Sequence, residues 1–196
     1  MIETCKITFN RRSLRLKHYD YSKEGYYFIT IVTQNREHFF GEIIESTMIL
    51  NDAGRMIDTL WNEITLDFEN IKLHAFVIMP NHIHGIIEIC NNTVGVPLVG
   101  TLNIDFAGTH NEKIKTTSRA PIKGAPTIGD IIGAFKSKTT NHYIKMVKNG
   151  MASPFDKRLW QRNYYEHIVR DERDYIRLST YIKNNPQKWE EDIFAS

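Results

Sequence analysis

The sequence predicts an α+β fold: an antiparallel sheet of ferredoxin-like βαββαβ order, helices on one face, and an added C-terminal helix. Three observations carry that expectation. Runs rich in β-branched and aromatic residues alternate with stretches of 3.6-residue apolar periodicity. Two of the strand-like runs are joined only by Pro80-Asn81, which is turn chemistry. A last periodic stretch follows the final strand-like run and stops at Pro186.

EGYYFITIVTQ, Glu24 to Gln34, reads as the first strand. GEIIESTMIL reads as a short hairpin. NDAGRMIDTLWNEITLDF opens on a cap-like Asn51-Asp52 and places Met56, Leu60, Trp61, Ile64 and Phe68 on one helical face. IKLHAFVIMP, Ile71 to Pro80, and HIHGIIEI read as a hairpin of strands. Residues 91–126 are rich in Gly, Thr, Asn and Pro and lack sustained periodicity, so they read as a long loop insertion. TIGD, Thr127 to Asp130, resembles a capping box. The helix after it sets Ile128, Ile131, Ile132, Phe135, Tyr143 and Met146 near one face, with Gly150 past its end. RLWQRNYYEHIVR, Arg158 to Arg170, reads as a strand, and DERDYIRLSTYIKNNP, Asp171 to Pro186, as the final helix.

A chain of 196 residues suits one domain, here 1–196, with a basic N-terminal extension at 1–24. Hydrophobic residues at 41% and charged residues at 24% give an ordinary globular composition. The net charge of +2 hides an uneven spread. NRRSLRLKH and the region from Lys136 to Lys188 are basic, while acids gather near Glu42, Glu63 and Asp67. Such a split suits an anionic partner on one face. Two cysteines, Cys5 and Cys90, offer no disulfide framework or Cys-rich zinc site. With two unpaired cysteines and no apolar segment of signal-peptide or membrane-spanning length, the expected location is cytoplasmic.

MPNHIHGIIEI places two histidines one residue apart in an apolar run. On a strand, His82 and His84 share a face. That is the geometry of two ligands on one ion; two satisfied core histidines have the same spacing. Gly85, Ile86 and Ile87 follow, so the further acids or histidines of amidohydrolases and metallo-β-lactamases are missing. A histidine-triad hydrolase would need histidine at Ile86. Two imidazoles leave an ion with open positions, which fits Mg²⁺ or Mn²⁺ acting on phosphate oxygens. On the final helix, Tyr175, Leu178 and Ile182 form the apolar stripe. Tyr181 lies off it, on a flank with Asp174, Arg177 and Asn185, and is the better candidate for a reactive tyrosine; a surface tyrosine has the same spacing. Pro186 is expected to push Asn185 away from helical geometry.

FVIMPNHIHGIIEI, the helix with GAFKSKTT, and LWQRNYYEHIVRDERDYIRLSTYIKNNPQKW together resemble the REP-associated tyrosine transposases. These are single-tyrosine HUH transposases, named for His, hydrophobic, His. The resemblance spans about Tyr26 to Trp189, and the motifs MPNH-x-H, WQR-x-YY-x-H and YI-x-x-NP in this order carry it. It implies that His82 and His84 bind a divalent ion, Mg²⁺ or Mn²⁺, that Asn185 stands where relatives place a third polar ligand, and that Tyr181 is the nucleophile. It implies cleavage and rejoining of single-stranded DNA near a hairpin, such as a repetitive extragenic palindrome, through a 5′-phosphotyrosine link. A monomer or a homodimer is implied, and so is association with the nucleoid. Residues 91–126 depart from the family, whose link there is commonly shorter.

For DNA contact, Lys136, Lys138, Arg158, Arg162, Arg170 and Arg177 are candidate phosphate partners. Trp160, Tyr164 and Tyr165 are candidates for base stacking, with only one of the two tyrosines on either face. Arg11 and Arg12, with Arg15 and Lys17, could guide a hairpin stem. His167 falls in the YY-x-H motif without an assigned role. Two rival readings are a domesticated hairpin-binding protein that does not cut and a small metallohydrolase that uses water.

Overall fold

The computed structural model describes residues 20–90 and 126–194. Residues 1–19 of the N-terminal extension, with Arg11 and Arg12, and residues 91–125 of the insertion lie outside the described residues. A four-stranded antiparallel sheet runs β4-β5-β1-β6 and combines β1 (Gly25–Val32), β4 (Ile71–Ile78), β5 (His82–Ile89) and β6 (Tyr165–Val169). A separate hairpin pairs β2 (Gly41–Ile44) with β3 (Thr47–Leu50). The helices are α1 (Asp52–Asn62), short α2 (Ile64–Asp67), α3 (Ile128–Lys148) and α4 (Glu172–Asn184). No described helix is long and apolar enough to cross a membrane.

Alternation along the strands divides the sheet into two chemically different faces. Tyr27, Ile29 and Ile31 of β1 and Ile83, Ile87 and Ile89 of β5 point towards α1 and α3 and form the main core. Helix α1 starts where the Asn51 side chain accepts from the Gly54 N–H at 2.9 Å. Its buried Ile57, Leu60 and Trp61 recur at helical spacing. The Trp61 ring stacks on Phe76 at 4.4 Å and meets Phe135 edge-on at 5.3 Å. Gly85 makes room for that indole, since a Cβ on it would lie 2.5 Å from Trp61 Cζ2. Helix α3 carries the expected capping box, with the Thr127 hydroxyl accepting from the Asp130 N–H and the Asp130 carboxylate accepting from the Thr127 N–H.

The opposite face is covered by α4. Its Leu178 and Ile182 pack on Ile86, with Phe28, Val77 and Val169 around them. Asp171 caps α4 by accepting from the Asp174 N–H at 2.8 Å. Tyr175, expected in the core, is partly buried there, and its hydroxyl lies 3.1 Å from His74 Nδ1.

Two expectations are corrected. The strand read over 158–170 is only Tyr165–Val169. Trp160 makes a single bridge to Thr33, then drops into the core, where its indole N–H donates to Thr139 Oγ1 at 2.9 Å. Beyond it, the carbonyls of Gln161 and Asn163 turn towards Lys136 Nζ, which donates to both at 2.9 Å, so the ladder is interrupted. Asn185 keeps helical geometry, with φ −59° and ψ −42°. Pro186 begins a 3-10 segment, Pro186–Glu191, at the position where a missing N–H costs least.

Candidate active site

Strand β5 delivers both imidazoles to the α4 side of the sheet, with His82 opposite Val32 and His84 opposite Thr30. Both are buried, at 0% and 1% exposure. Burial makes their hydrogen bonds obligatory. The Asn81 amide nitrogen donates to the carbonyls of Arg36 and Phe194, at 3.1 and 2.7 Å. Asn81 Oδ1 is thereby left as an acceptor, and His82 Nδ1–H donates to it at 2.8 Å. A neutral His82 therefore carries its proton on Nδ1 and a lone pair on Nε2. His84 Nδ1 lies 2.7 Å from Thr30 Oγ1. The two Nε2 atoms face each other at 3.0 Å.

Asp192, just past the 3-10 segment, joins them. Its Oδ2 lies 3.8 Å from His82 Nε2, and the nearest donor atoms of His82, His84 and Asp192 all fall within 4.8 Å of one another. The Asn185 amide donates to the same Oδ2 at 3.1 Å, while Asn185 Oδ1 is buried without a hydrogen-bond donor. Burial holds His82 down to about 4, against the pull of Asp192, and holds His84 well below the usual histidine range, with His82 reinforcing the effect. Neutral imidazoles keep their lone pairs for a cation. Two nitrogens about 2.1 Å from one ion and at right angles stand about 3.0 Å apart, which matches the observed separation. The set of two imidazoles, one carboxylate and a nearby orphaned amide oxygen suits a divalent ion.

Tyr181 reaches the same point from α4. Its hydroxyl lies 3.3 Å from His84 Nε2, and its ring meets His84 and Phe28 edge-on at 5.1 and 6.1 Å. The residue remains 40% exposed. Burial of the phenol, and then Asp192, raise its pKa above the ordinary tyrosine value. Phe194 packs over both imidazoles at 5.0 and 6.2 Å, and Trp189 stacks on His82 at 6.0 Å.

The structure thus brings His82, His84, Tyr181 and Asn185 together. Tyr165 joins their face, opposite Thr30, with its ring 5.7 Å from Phe194 and 44% exposure. Tyr164 turns to the other face, beneath Lys136 Nζ at 5.7 Å. Arg170 and Arg177 are exposed where β6 meets α4, and Arg158 and Arg162 are exposed in the preceding loop. Three expected DNA-contacting residues have other partners. Trp160 is 4% exposed inside the core. Lys136 ties down the loop before β6, and burial lowers its pKa to about 8. Lys138 pairs with Asp67 and Glu63 at 3.2 and 3.7 Å, on the α1/α3 side.

Sequence reasoning missed Asp192, Asn81 as a histidine-orienting group, and Thr30. Asn81 stood inside the quoted MPNH motif but read as a turn residue. Asp192 ends the run Glu190-Glu191-Asp192, where nothing in the spacing distinguishes a buried carboxylate from its solvated neighbours.

No family model matches the chain. Among solved structures, a REP-associated tyrosine transposase bound to a REP hairpin aligns with a TM-score of 0.50 and 18% identity, covering 89% of this chain and 73% of that one. The similarity is one of fold: mixed α+β, with an antiparallel sheet flanked by helices. A Haemophilus influenzae protein described as uncharacterized is 44% identical over 184 residues, covering 93% of this chain and 92% of the relative. By that identity and coverage, the chain belongs to the same family as the Haemophilus protein.

Proposed function

We propose that this chain is a divalent-metal-dependent, single-tyrosine DNA transposase that cleaves and rejoins single-stranded DNA near hairpins. The observation that carries the reading is the meeting of an exposed phenol with two neutral, converging imidazoles: Tyr181 Oη, His84 Nε2 and His82 Nε2 follow one another at 3.3 and 3.0 Å. The strand order of the described residues supports a ferredoxin-like topology, and the fold shared with a transposase supports the reaction class.

His82, His84 and Asp192 would hold the ion, Mg²⁺ or Mn²⁺, with Asn185 contributing its free carbonyl oxygen. When bound, the ion supplies positive charge that offsets the charge developing on the phosphoryl oxygens and favours ionisation of the nearby phenol. Tyr181 Oη attacks phosphorus, the P–O3′ bond breaks, and the 3′ oxygen leaves and takes up a proton. The product is a 5′-phosphotyrosine and a free 3′-hydroxyl. Attack by a 3′-hydroxyl on the phosphotyrosine reverses the sequence and rejoins DNA, so strand transfer needs no external energy source. Asn81 and Thr30 hold the imidazoles in orientation. Phe28 and Phe194 hold the rings of the pair in place and keep bulk water away.

The test mixes the protein with hairpin-flanked single-stranded oligonucleotides and Mn²⁺. A covalent protein–DNA adduct is expected, and Tyr181→Phe is expected to abolish it. Binding without an adduct under any divalent ion would favour a hairpin-binding protein; cleavage that survives Tyr181→Phe would move the nucleophile elsewhere.

A further inference from the structure

We infer that the cleft between the end of β6 and the first turns of α4 is a binding subsite for backbone phosphates of single-stranded DNA, separate from the imidazole–phenol centre. This rests on the reading above and deepens it.

The cleft has a volume of about 420 Å³ and is lined by His167, Arg170, Asp171, Arg173, Asp174 and Arg177. Its two carboxylates are already engaged. Asp171 accepts from the Asp174 N–H, and the Asp174 carboxylate accepts from His167 Nε2 at 2.6 Å and from Arg177 at 2.5 Å. These bonds hold the Asp174 carboxyl down to about 2, so it stays ionised and fixes His167 and Arg177 in place. Arg170 and Arg173 have no carboxylate within salt-bridge distance among the described residues. Three guanidinium groups thus share a concave surface with two carboxylates: Asp174 is paired with Arg177 and His167, and Arg170 and Arg173 together outweigh the single remaining negative charge of Asp171. Guanidinium forks match phosphate oxygens in geometry and charge.

Placement favours a polymer over a free anion. Asp174, Arg177, Tyr181 and Asn185 follow at spacings of three and four along one flank of α4. One helical turn of about 6 Å separates Arg177 from Tyr181, so a strand entering the cleft reaches the phenol within one or two nucleotides. His167 and Tyr165, opposite Phe28 and Thr30, alternate onto the same sheet face as His84. Tyr165 and Tyr181, 44% and 40% exposed, offer ring surface to bases along that path.

The experiment measures the affinity of a fluorescent single-stranded oligonucleotide by anisotropy, in chelator, as a function of salt. Arg170→Ala/Arg173→Ala is expected to weaken binding about 10-fold and to lower the salt slope by about 1.4, since each of the two lost phosphate contacts removes about 0.7 from it. Both arginines are exposed, and an unchanged thermal midpoint checks that the double variant is folded. Lys145→Ala/Lys148→Ala, the same charge change at the end of α3, is expected to leave affinity within about two-fold. Equal loss in both double variants, or no loss in the first, overturns the cleft. Millimolar inorganic phosphate that displaces the oligonucleotide beyond the effect of matched chloride marks a site for a free anion and overturns the polymer assignment. The adduct assay is read separately. An adduct with an unchanged Arg170→Ala/Arg173→Ala affinity sinks the cleft alone, whereas a wild-type chain that binds no single-stranded DNA sinks the functional reading and the cleft with it.

Discussion

The two faces of one sheet solve opposite problems with the same strand. Along β5, Ile83, Ile87 and Ile89 enter an apolar core with α1 and α3, whereas His82 and His84 enter a polar pocket beneath α4. The first face gains from area and shape, because apolar burial is non-directional and tight packing is cheap to satisfy. The second must place each buried nitrogen individually: Asn81 and Thr30 hold the two Nδ1 atoms, and the two Nε2 atoms turn towards each other beside Asp192. A strand of alternating period can serve both because a single residue step moves a side chain from one environment to the other.

The largest effect should come from the packed face. Trp61→Ala is expected to lose about 3–5 kcal/mol of stability, read by denaturant unfolding, because its indole fills the space between Phe76, Phe135 and Gly85. An effect below about 1 kcal/mol would show that this face is not packed as described.

The histidine face should reveal itself through pH. His82 titrates near 4 in the fold and near 6.5 when unfolded. Between those values the unfolded chain binds more protons. Stability from this group is therefore complete above about 6.5 and is lost as pH falls towards 4, by on the order of 3 kcal/mol. Unfolding of metal-free protein at pH 7.5 and at pH 4.5 measures it, and His82→Asn should reduce the difference, leaving the part that burial of His84 contributes. A stability that does not change across that window would mean His82 is not held neutral.

A smaller effect concerns orientation. Asn81→Ala is expected to weaken Mn²⁺ binding about 10–100-fold, by calorimetry, since it frees His82 Nδ1 from its acceptor. Unaltered affinity would remove Asn81 from the site. The smallest is Tyr175→Phe, which deletes the hydroxyl near His74 and is expected to cost about 0.5–1.5 kcal/mol without affecting Mn²⁺ binding.

The contrast between the faces also explains what was readable in advance. The packed face follows periodicity, and β4, β5 and the capped α3 stand where the pattern put them, while the helix read over 51–68 breaks at Glu63 into α1 and α2 and ends before Phe68, which is extended. His82, His84 and Tyr181 carried a motif signal, and their meeting is a contact across α4 and β5. Asp192 was illegible because its value comes from burial against a histidine 110 positions earlier, as the numbering of the pair shows. The strand at β6 was over-read because Trp160 has the composition of a ladder residue, yet its indole nitrogen finds Thr139 inside the core. Asn185 was judged by the proline after it, but its amide is anchored to Asp192 in a helical geometry that Pro186 tolerates.

Asn81 draws together the carbonyls of Arg36 and Phe194 and one ring of the imidazole pair. Those three partners come from widely separated parts of the polypeptide, and one of them, Phe194, lies beyond α4 and outside the cluster that makes the main core. A partly folded chain with a complete hydrophobic interior would still lack competence to seize a cation. Ion uptake should therefore lag behind collapse, and the time between the two is a clock for the final assembly of the molecule.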